Sequence, residues 1–431
     1  MPMIRCLKNT IVSRTELIYP LFVSIIGYLI INNLEGLSGA ILIGLFLYLP
    51  LILFNPTVNL YHLVFYVANE RMFIIDGFSM GLIAIYIILL FSKTLLLEKL
   101  KVNKSLVFLG LFMLILMLLK GVVQSTSPID TEIIRHVFNL YIFMSLVKNN
   151  RHNINEFSLN LGSWFCFGVF VATFIGIYDS FSRTSEILTS NFFRLIPVNQ
   201  DPNYYGVAVT LAISVLIVKL SLGTVKNNKL IFYMVLFFAF GFMTQSRAFL
   251  ITSIINIILL LIVFSKQKVN HKFSILIALV LASLIGYPLG LFNIFERSIG
   301  RFRYAGLKDV RLILWREYIE ILTTDVKNFF FGIGKRYDLT TIRLAPHNFL
   351  IGSWAYYGCF LTSMIISSYY FIYYKFKTIN VSKRWKLYYY LLFLVVFIGY
   401  SFLDGIIDNL FFYGIALSLT NTYLLEQSKK V

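Results

Sequence analysis

The chain has 431 residues, of which 58% are hydrophobic, 17% aromatic and only 13% charged, with a formal net charge of +18. A soluble globular domain carries about 25% charged residues, so an ordinary soluble enzyme or nucleic-acid-binding domain is excluded. Apolar stretches of about 18 to 25 residues recur from end to end, each long enough to cross a hydrocarbon layer of roughly 30 Å.

The predicted fold is an all-α polytopic integral membrane protein with about 12 to 14 transmembrane helices, a single domain over residues 1–431. Basic residues Arg5, Lys8 and Arg14 precede the first apolar run without a cleavage site, which reads as a retained signal-anchor. Predicted spans lie at about 17–31, 37–54, 74–91, 106–122, 133–147, 157–178, 204–220, 230–244, 248–264, 273–292, 349–374, 387–402 and 406–424. Lysine- and arginine-rich connections at 93–104, 148–151, 219–229, 266–272 and 375–386 should face the cytoplasm. That alternation puts 124–132, 179–203, 294–346 and the turn at Asp404 on the other face. The first 75 residues break the parity: either 58–68 is an additional short or re-entrant segment, or one early span is misplaced. Cys6, Cys166 and Cys359 are far apart and form no metal or redox spacing.

The long loop 294–346 carries ten basic residues against six acids. Long loops escape the orientation rule, so this charge says little alone. Within it, 309–323 predicts a short amphipathic helix at the membrane surface, with Val310, Ile313, Leu314 and Ile321 near one face and Arg311 and Trp315 on another.

Three features on this side carry chemistry. Arg194 precedes Asp201-Pro-Asn-Tyr-Tyr-Gly206, where a span begins. Thr244-Gln-Ser-Arg247 joins two spans with almost no loop, so Arg247 lies at the boundary, where an ionisable group is a functional candidate. The long loop adds Arg311, Trp315 and Gly332-Ile-Gly334, and ends in His347-Asn348. Each has a structural alternative: Arg247 snorkelling to lipid phosphates, Arg311 on a solvated face, His347 as an interfacial histidine, and Asp201-Pro-Asn as a turn. His62, His136, His152 and His271 belong to no such constellation and read as structural. Asp404 and Asp408, four residues apart, would share one helix face at the last hairpin, to orient an arginine, bind acceptor hydroxyls or simply end a helix.

In this order and placement the set (arginine, DPNYYG, QSR at a span boundary, Arg-x-x-x-Trp, G-x-G, then HN opening a span) resembles the O-antigen ligase and polymerase family. Those bacterial membrane enzymes act on undecaprenyl-diphosphate-linked glycans. The resemblance covers residues 192–358, with Gly358 matching a small residue downstream of the family's HN. It implies that Arg247 and Arg311 bind the donor diphosphate and that His347 is the essential histidine. Arg194, Asn203, Trp315 and Asn348 become candidate substrate-binding residues. The implied partners are the lipid-linked donor, a glycan acceptor, the bilayer and a chain-length regulator. The implied location is the cytoplasmic (inner) membrane, with the site on its outer face.

The chemistry fits these residue types. Guanidinium groups make bidentate, charge-assisted bonds to phosphate that lysine cannot copy, each contributing about 1.5–3 kcal/mol. Charge on the diphosphate grows as the sugar–phosphate bond breaks, so preorganised arginines favour the transition state. A histidine can take the acceptor hydroxyl's proton near neutral pH, an effect of about 10²–10⁴ in rate. No Asp-x-Asp pair is present, so the expected transfer is metal-independent, with no cofactor. The residues leave open a polymerase joining repeat units or a ligase moving the glycan to lipid A core. A lipid-linked oligosaccharide flippase, with short loops and charges near the midplane, fits the pattern less well. A glycosyltransferase with acids in its first outer loop fits least, since Glu35 is the only acid there.

Overall fold

The computed structural model describes residues 14–34, 36–73, 81–98, 104–124, 130–182, 195, 201–222, 227–244, 246–264, 310–377, 383–401, 403 and 408–427. Among the described residues there are fifteen α-helices, three 3₁₀ turns and no strand. The helices are α1 (Arg14–Asn33), α2 (Gly36–Leu53), α3 (Pro56–Val67), α4 (Leu82–Glu98), α5 (Lys104–Gln124), α6 (Thr131–Asn149), α7 (Ile154–Ser182) and α8 (Pro202–Leu222). They continue with α9 (Asn227–Met243), α10 (Arg247–Phe264), α11 (Val310–Thr324), α12 (Val326–Phe331), α13 (Phe349–Lys377), α14 (Lys383–Tyr400) and α15 (Asn409–Gln427).

Five of them, lying in α1, α5, α7, α8 and α13, are long and apolar enough to cross a membrane, and shorter apolar helices accompany them. Many large apolar side chains stand exposed, among them Ile52, Leu96, Phe108 and Val122. Soluble monomers rarely expose so much apolar surface, whereas lipid covers it at no cost. The chain is an all-α membrane protein.

Five of the polar caps that start helices gather at one end, called here the upper end. Asp130, Asp201, Ser246, Asn348 and Asp408 each accept a bond from a backbone N–H in the first turn of α6, α8, α10, α13 and α15. Each such cap stabilises a helix by about 1 kcal/mol. Helix α8 is the hub, packed on α7, α9, α10, α14 and α15. Thr210 and Ser214 on α8 bond Thr252 and Asn256 on α10 at 3.0 and 2.7 Å, the small-polar contact that holds helices together where no water can drive them.

The early chain holds the segment on which the parity turned. Helix α3 is capped by Asn55, carries Pro56 at its start, and is buried along nearly all its length against α7 and α4. At one end Asn150 Nδ2 donates to Thr57 Oγ1 at 3.1 Å, while past the other end Arg135 meets Glu70 at 2.8 Å. The segment from Pro56 to Phe73 therefore runs beside α6 from its last residues to its first and does not turn back. At 58–68 the structure describes a short helix of its own.

The predicted span 74–91 is displaced: residues 74–80 lie outside the described residues, and α4 begins at Leu82 and runs to Glu98. It passes Lys93 because that ammonium donates to the carbonyls of Leu51 and Phe54 at the end of α2, so the charge caps a neighbour and does not end its own helix. The predicted span 273–292 lies outside the described residues.

Candidate functional site

The residues singled out in the sequence form two groups at the upper end, joined by aromatic rings. In the first group Asp201 Oδ1 accepts from Asn203 N at 2.6 Å, which starts α8, and Pro202 suits the first helical turn. Asn203 Oδ1 in turn accepts from Ser246 Oγ at 3.0 Å, and the same hydroxyl accepts from Phe249 N at 3.2 Å to cap α10. A Cβ on Gly206 would come within 2.8 Å of that hydroxyl, so the glycine of DPNYYG lets the two helix starts touch. Asn203→Ala should therefore lower thermal stability in detergent by about 1 kcal/mol, the worth of one hydrogen bond.

Arg247 is the first residue of α10, where the partial positive charge of the helix N-terminus adds to its own. Its side chain, all of Arg194, and Gln245 lie outside the described residues. Leu195 N donates to Met243 O at 2.9 Å, which pins the residue after Arg194 to the end of α9.

The second group is the loop. Helix α11 forms as expected, with a buried stripe that draws on both of the expected faces. Leu314, Tyr318 and Leu322, at a spacing of four, are buried, whereas Val310 and Ile313 are about half exposed. Arg311 and Trp315 continue the buried stripe and do not oppose it; both are half-buried. The reason lies in the partners: Trp315 Nε1 donates to Pro346 O at 2.6 Å and Tyr318 Oη to Leu344 O at 3.0 Å. Apolar side chains alone do not choose this face; two aromatic donors and two loop carbonyls do.

Those bonds place α11 against the residue preceding His347. His347 is half-buried and has a backbone φ of 48°, a left-handed conformation that costs a non-glycine residue about 1–2 kcal/mol. The Trp315 bond and the Asn348 cap on Leu350 N and Ile351 N at 3.0 and 3.1 Å contribute about 1 kcal/mol each, enough to offset it. Trp315, Asn203 and the Asn348 oxygen thus all have structural partners.

The G-x-G turn has a docking role. Gly358 (φ 77°) breaks α13, which releases the Ala355 carbonyl from its helical partner. That oxygen accepts instead from Ile333 N and Gly334 N at 2.7 and 3.1 Å. Trp354 Nε1 donates to Phe329 O at 3.0 Å, so α12 and the turn sit in the break.

Between the groups runs a row of rings: Tyr204 to Tyr400 at 6.0 Å, Tyr400 to Phe411 at 4.8 Å, and Phe411 to Phe349 at 5.6 Å. These apolar faces connect the starts of α8, α15 and α13. Asp408 lies before α15 rather than on a helix; it caps Leu410 N at 2.7 Å and accepts from Tyr400 Oη at 3.3 Å. This corrects the shared helix face expected for Asp404 and Asp408, and Asp404 itself lies outside the described residues.

Sequence reasoning passed over a set of charged residues beside this site: Glu70, Lys120, Asp130, Glu132, Arg135 and Lys335. A signal was available, since Lys120 and Arg135 fall inside the predicted spans 106–122 and 133–147 and an ionisable residue there needs a partner. Arg135 and Asn409 both bond Glu70 Oε1, at 2.8 and 2.7 Å, and Asn409 Oδ1 accepts from Asn139 at 2.8 Å. Partial burial works against the Lys335 charge, but the Glu132 carboxylate beside it prevails and raises its pKa.

His62 and His136 are buried among rings and bond Glu16 O and Ser368 Oγ at 2.9 Å each, as structural histidines do. Among the described residues no group of three or more His, Cys, Asp or Glu is arranged to hold a metal ion. A recess of about 490 Å³, lined by Tyr48, Leu51, Leu89 and Lys93, lies at the opposite end and takes no part in the site. No family model, no curated protein and no solved structure matches the chain.

Proposed function

We propose that the chain is a membrane glycosyltransferase of the O-antigen ligase and polymerase family, to which its motifs bear a resemblance. It would move a glycan from an undecaprenyl-diphosphate carrier to an acceptor glycan at the outer face of the cytoplasmic membrane, joining O-antigen or capsule-type repeat units. The observation that carries this reading is the bond from Trp315 to the Pro346 carbonyl, which sets the helix bearing Arg311 against the residue before His347. The bond between Asn203 and Ser246 supports it by fixing the start of the helix that begins at Arg247.

In this reading the upper end faces outward and 294–346 is the external loop. The added crossing at Pro56–Phe73 restores the parity that the positive-inside rule requires. Arg247 and Arg311 bind the donor diphosphate, and His347 takes the proton from the attacking hydroxyl. The bond from the sugar to phosphate breaks as the bond to the acceptor oxygen forms, and undecaprenyl diphosphate leaves. No metal takes part. The row of Tyr204, Tyr400, Phe411 and Phe349, largely buried, holds the starts of α8, α13 and α15 together beneath the site, and a chain-length regulator is the further partner.

Arg311→Lys keeps the charge but loses the planar fork, and should cut transfer about ten- to hundredfold, the equivalent of one charge-assisted bond. Full activity of that variant would reduce Arg311 to a lipid contact. The deciding experiment is the glycan ladder of a deletion strain. Single repeats on a lipid core are the expected result; unattached full-length polymer would mean a ligase. Undecaprenyl-linked units stranded on the cytoplasmic side would mean a flippase.

A further inference from the structure

Three ion pairs stand on the first turns of α6. Lys120 on α5 is 3.7 Å from Asp130, Lys335 of the loop is 3.0 Å from Glu132, and Arg135 is 2.8 Å from Glu70. The middle pair differs from the others because it joins the bundle to the loop. The Lys335 side chain is 60% exposed and that of Glu132 34%. The second Glu132 oxygen accepts from Tyr357 Oη on α13 at 2.5 Å, next to the break at Gly358. Beside it Gln124, the last residue of α5, donates to Phe331 O at 2.9 Å and also to Gly332 O.

These contacts hold the beginning of a strap, residues 332–346. Its far end is held by Tyr318 at Leu344 and by Trp315 at Pro346. Between them the strap is stiffened by Tyr337 Oη against Tyr356 Oη at 3.0 Å and by Thr341 bonding Glu317. The strap leads directly into His347, whose left-handed backbone persists only while its surroundings hold it.

We infer that Glu132 and Lys335 form an ionic clasp that positions His347, with Glu132 acting as a positioning residue for the transfer. The inference rests on the proposed role of His347 as base. With the clasp closed, Gly332–Gly334 stay in the break of α13 and the strap is fixed at both ends. With it open, the near end keeps its bonds to Gln124 and Ala355 but loses its ionic tie to the start of α6, and the loosened strap lets His347 relax out of the geometry that faces the acceptor. The clasp sits about twelve residues before the histidine it serves, so it touches neither substrate nor reacting atoms.

The test uses the full chain in nanodiscs, with hydrogen exchange read over residues 332–348. Lys335 is exposed, so Lys335→Ala should fold normally. Its exchange at both 332–335 and 344–348 should be about two- to fivefold faster, the range of an exposed ion pair. With the lipid-linked donor, kcat should fall by the same factor and KM should hold. Wild type in about 1 M salt, where charges are screened within roughly 3 Å, should match the variant, and the variant should not respond to salt. Glu132→Gln should exceed Lys335→Ala, at about tenfold, because Tyr357 loses a charged acceptor as well. Faster exchange confined to 332–335, or none at all, would overturn the inference. Exchange needs no substrate, so it stands apart from the proposed function: if His347 proves dispensable for transfer, that reading fails while the exchange result is unaffected.

Discussion

Replacing His347 with alanine is expected to abolish long glycan chains while the protein stays in the membrane at its normal level. General-base help contributes about 10²–10⁴ in rate, and a loss of that size leaves single repeats on the ladder. The fold should survive. The side chain is only half-buried, and substitutions away from the core stay within about 0.5 kcal/mol. Alanine meets much the same penalty as histidine in a left-handed conformation, so the anchors at Trp315 and Asn348 have no additional strain to offset. Chain length and membrane level, read from one strain by glycan ladder and immunoblot, therefore separate chemistry from folding. Long chains at wild-type length would remove His347 from the catalytic role, and with it the reason for the clasp at Glu132.

Most of the bundle was legible because membrane helices announce themselves by length and apolarity. The turn at Asp201-Pro was legible too, whereas Ser246 and Asn348, marked with their motifs for chemistry, also start helices. The early chain was ambiguous because α3 is only 12 residues long, about 18 Å of helix, short of a full span until the turn at Glu70–Phe73 is added. The inward face of α11 was left open for another reason. Periodicity grouped Val310 and Ile313 with Leu314, but in a membrane protein an apolar residue can face lipid as readily as protein. The buried face was set by Trp315 and Tyr318, whose donors needed carbonyls 31 and 26 residues away.

The candidate site was legible in its residues and not in its supports. Arg311, His347 and the Asn203–Ser246 contact lie within marked motifs. Glu132 and Gln124 do not, since their partners are more than 200 residues distant in sequence. No local pattern encodes such a pair. Only Arg135 and Lys120, charges inside apolar runs, gave a hint that the start of α6 faces protein rather than lipid.

Gly358→Ala should have the second large effect, although the residue touches no proposed substrate. Its backbone (φ 77°, ψ 170°) lies in a region open essentially to glycine alone, at a cost of about 1–3 kcal/mol for other residues. An added Cβ would also stand 2.1 Å from the Phe330 carbonyl oxygen and 2.5 Å from the Phe331 carbonyl carbon. Both are backbone atoms, so neither can swing aside as a side-chain tip would. The cheaper response is for α13 to close into a regular helix. Ala355 O then returns to the N–H of Cys359, and Ile333 N and Gly334 N lose their acceptor. Helix α12, held by the stacked pair Phe330–Phe360 at 4.6 Å, must leave the break. The expected outcome is a loss of about 3 kcal/mol or more in stability, loss of exchange protection at Ile333 and Gly334, and transfer reduced more than tenfold. Gly358→Ser should behave alike, because the obstacle is the Cβ and not polarity. Wild-type protection of those two amides in either variant would mean that the loop docks on something other than the broken helix, and that the strap leading to His347 is held from above.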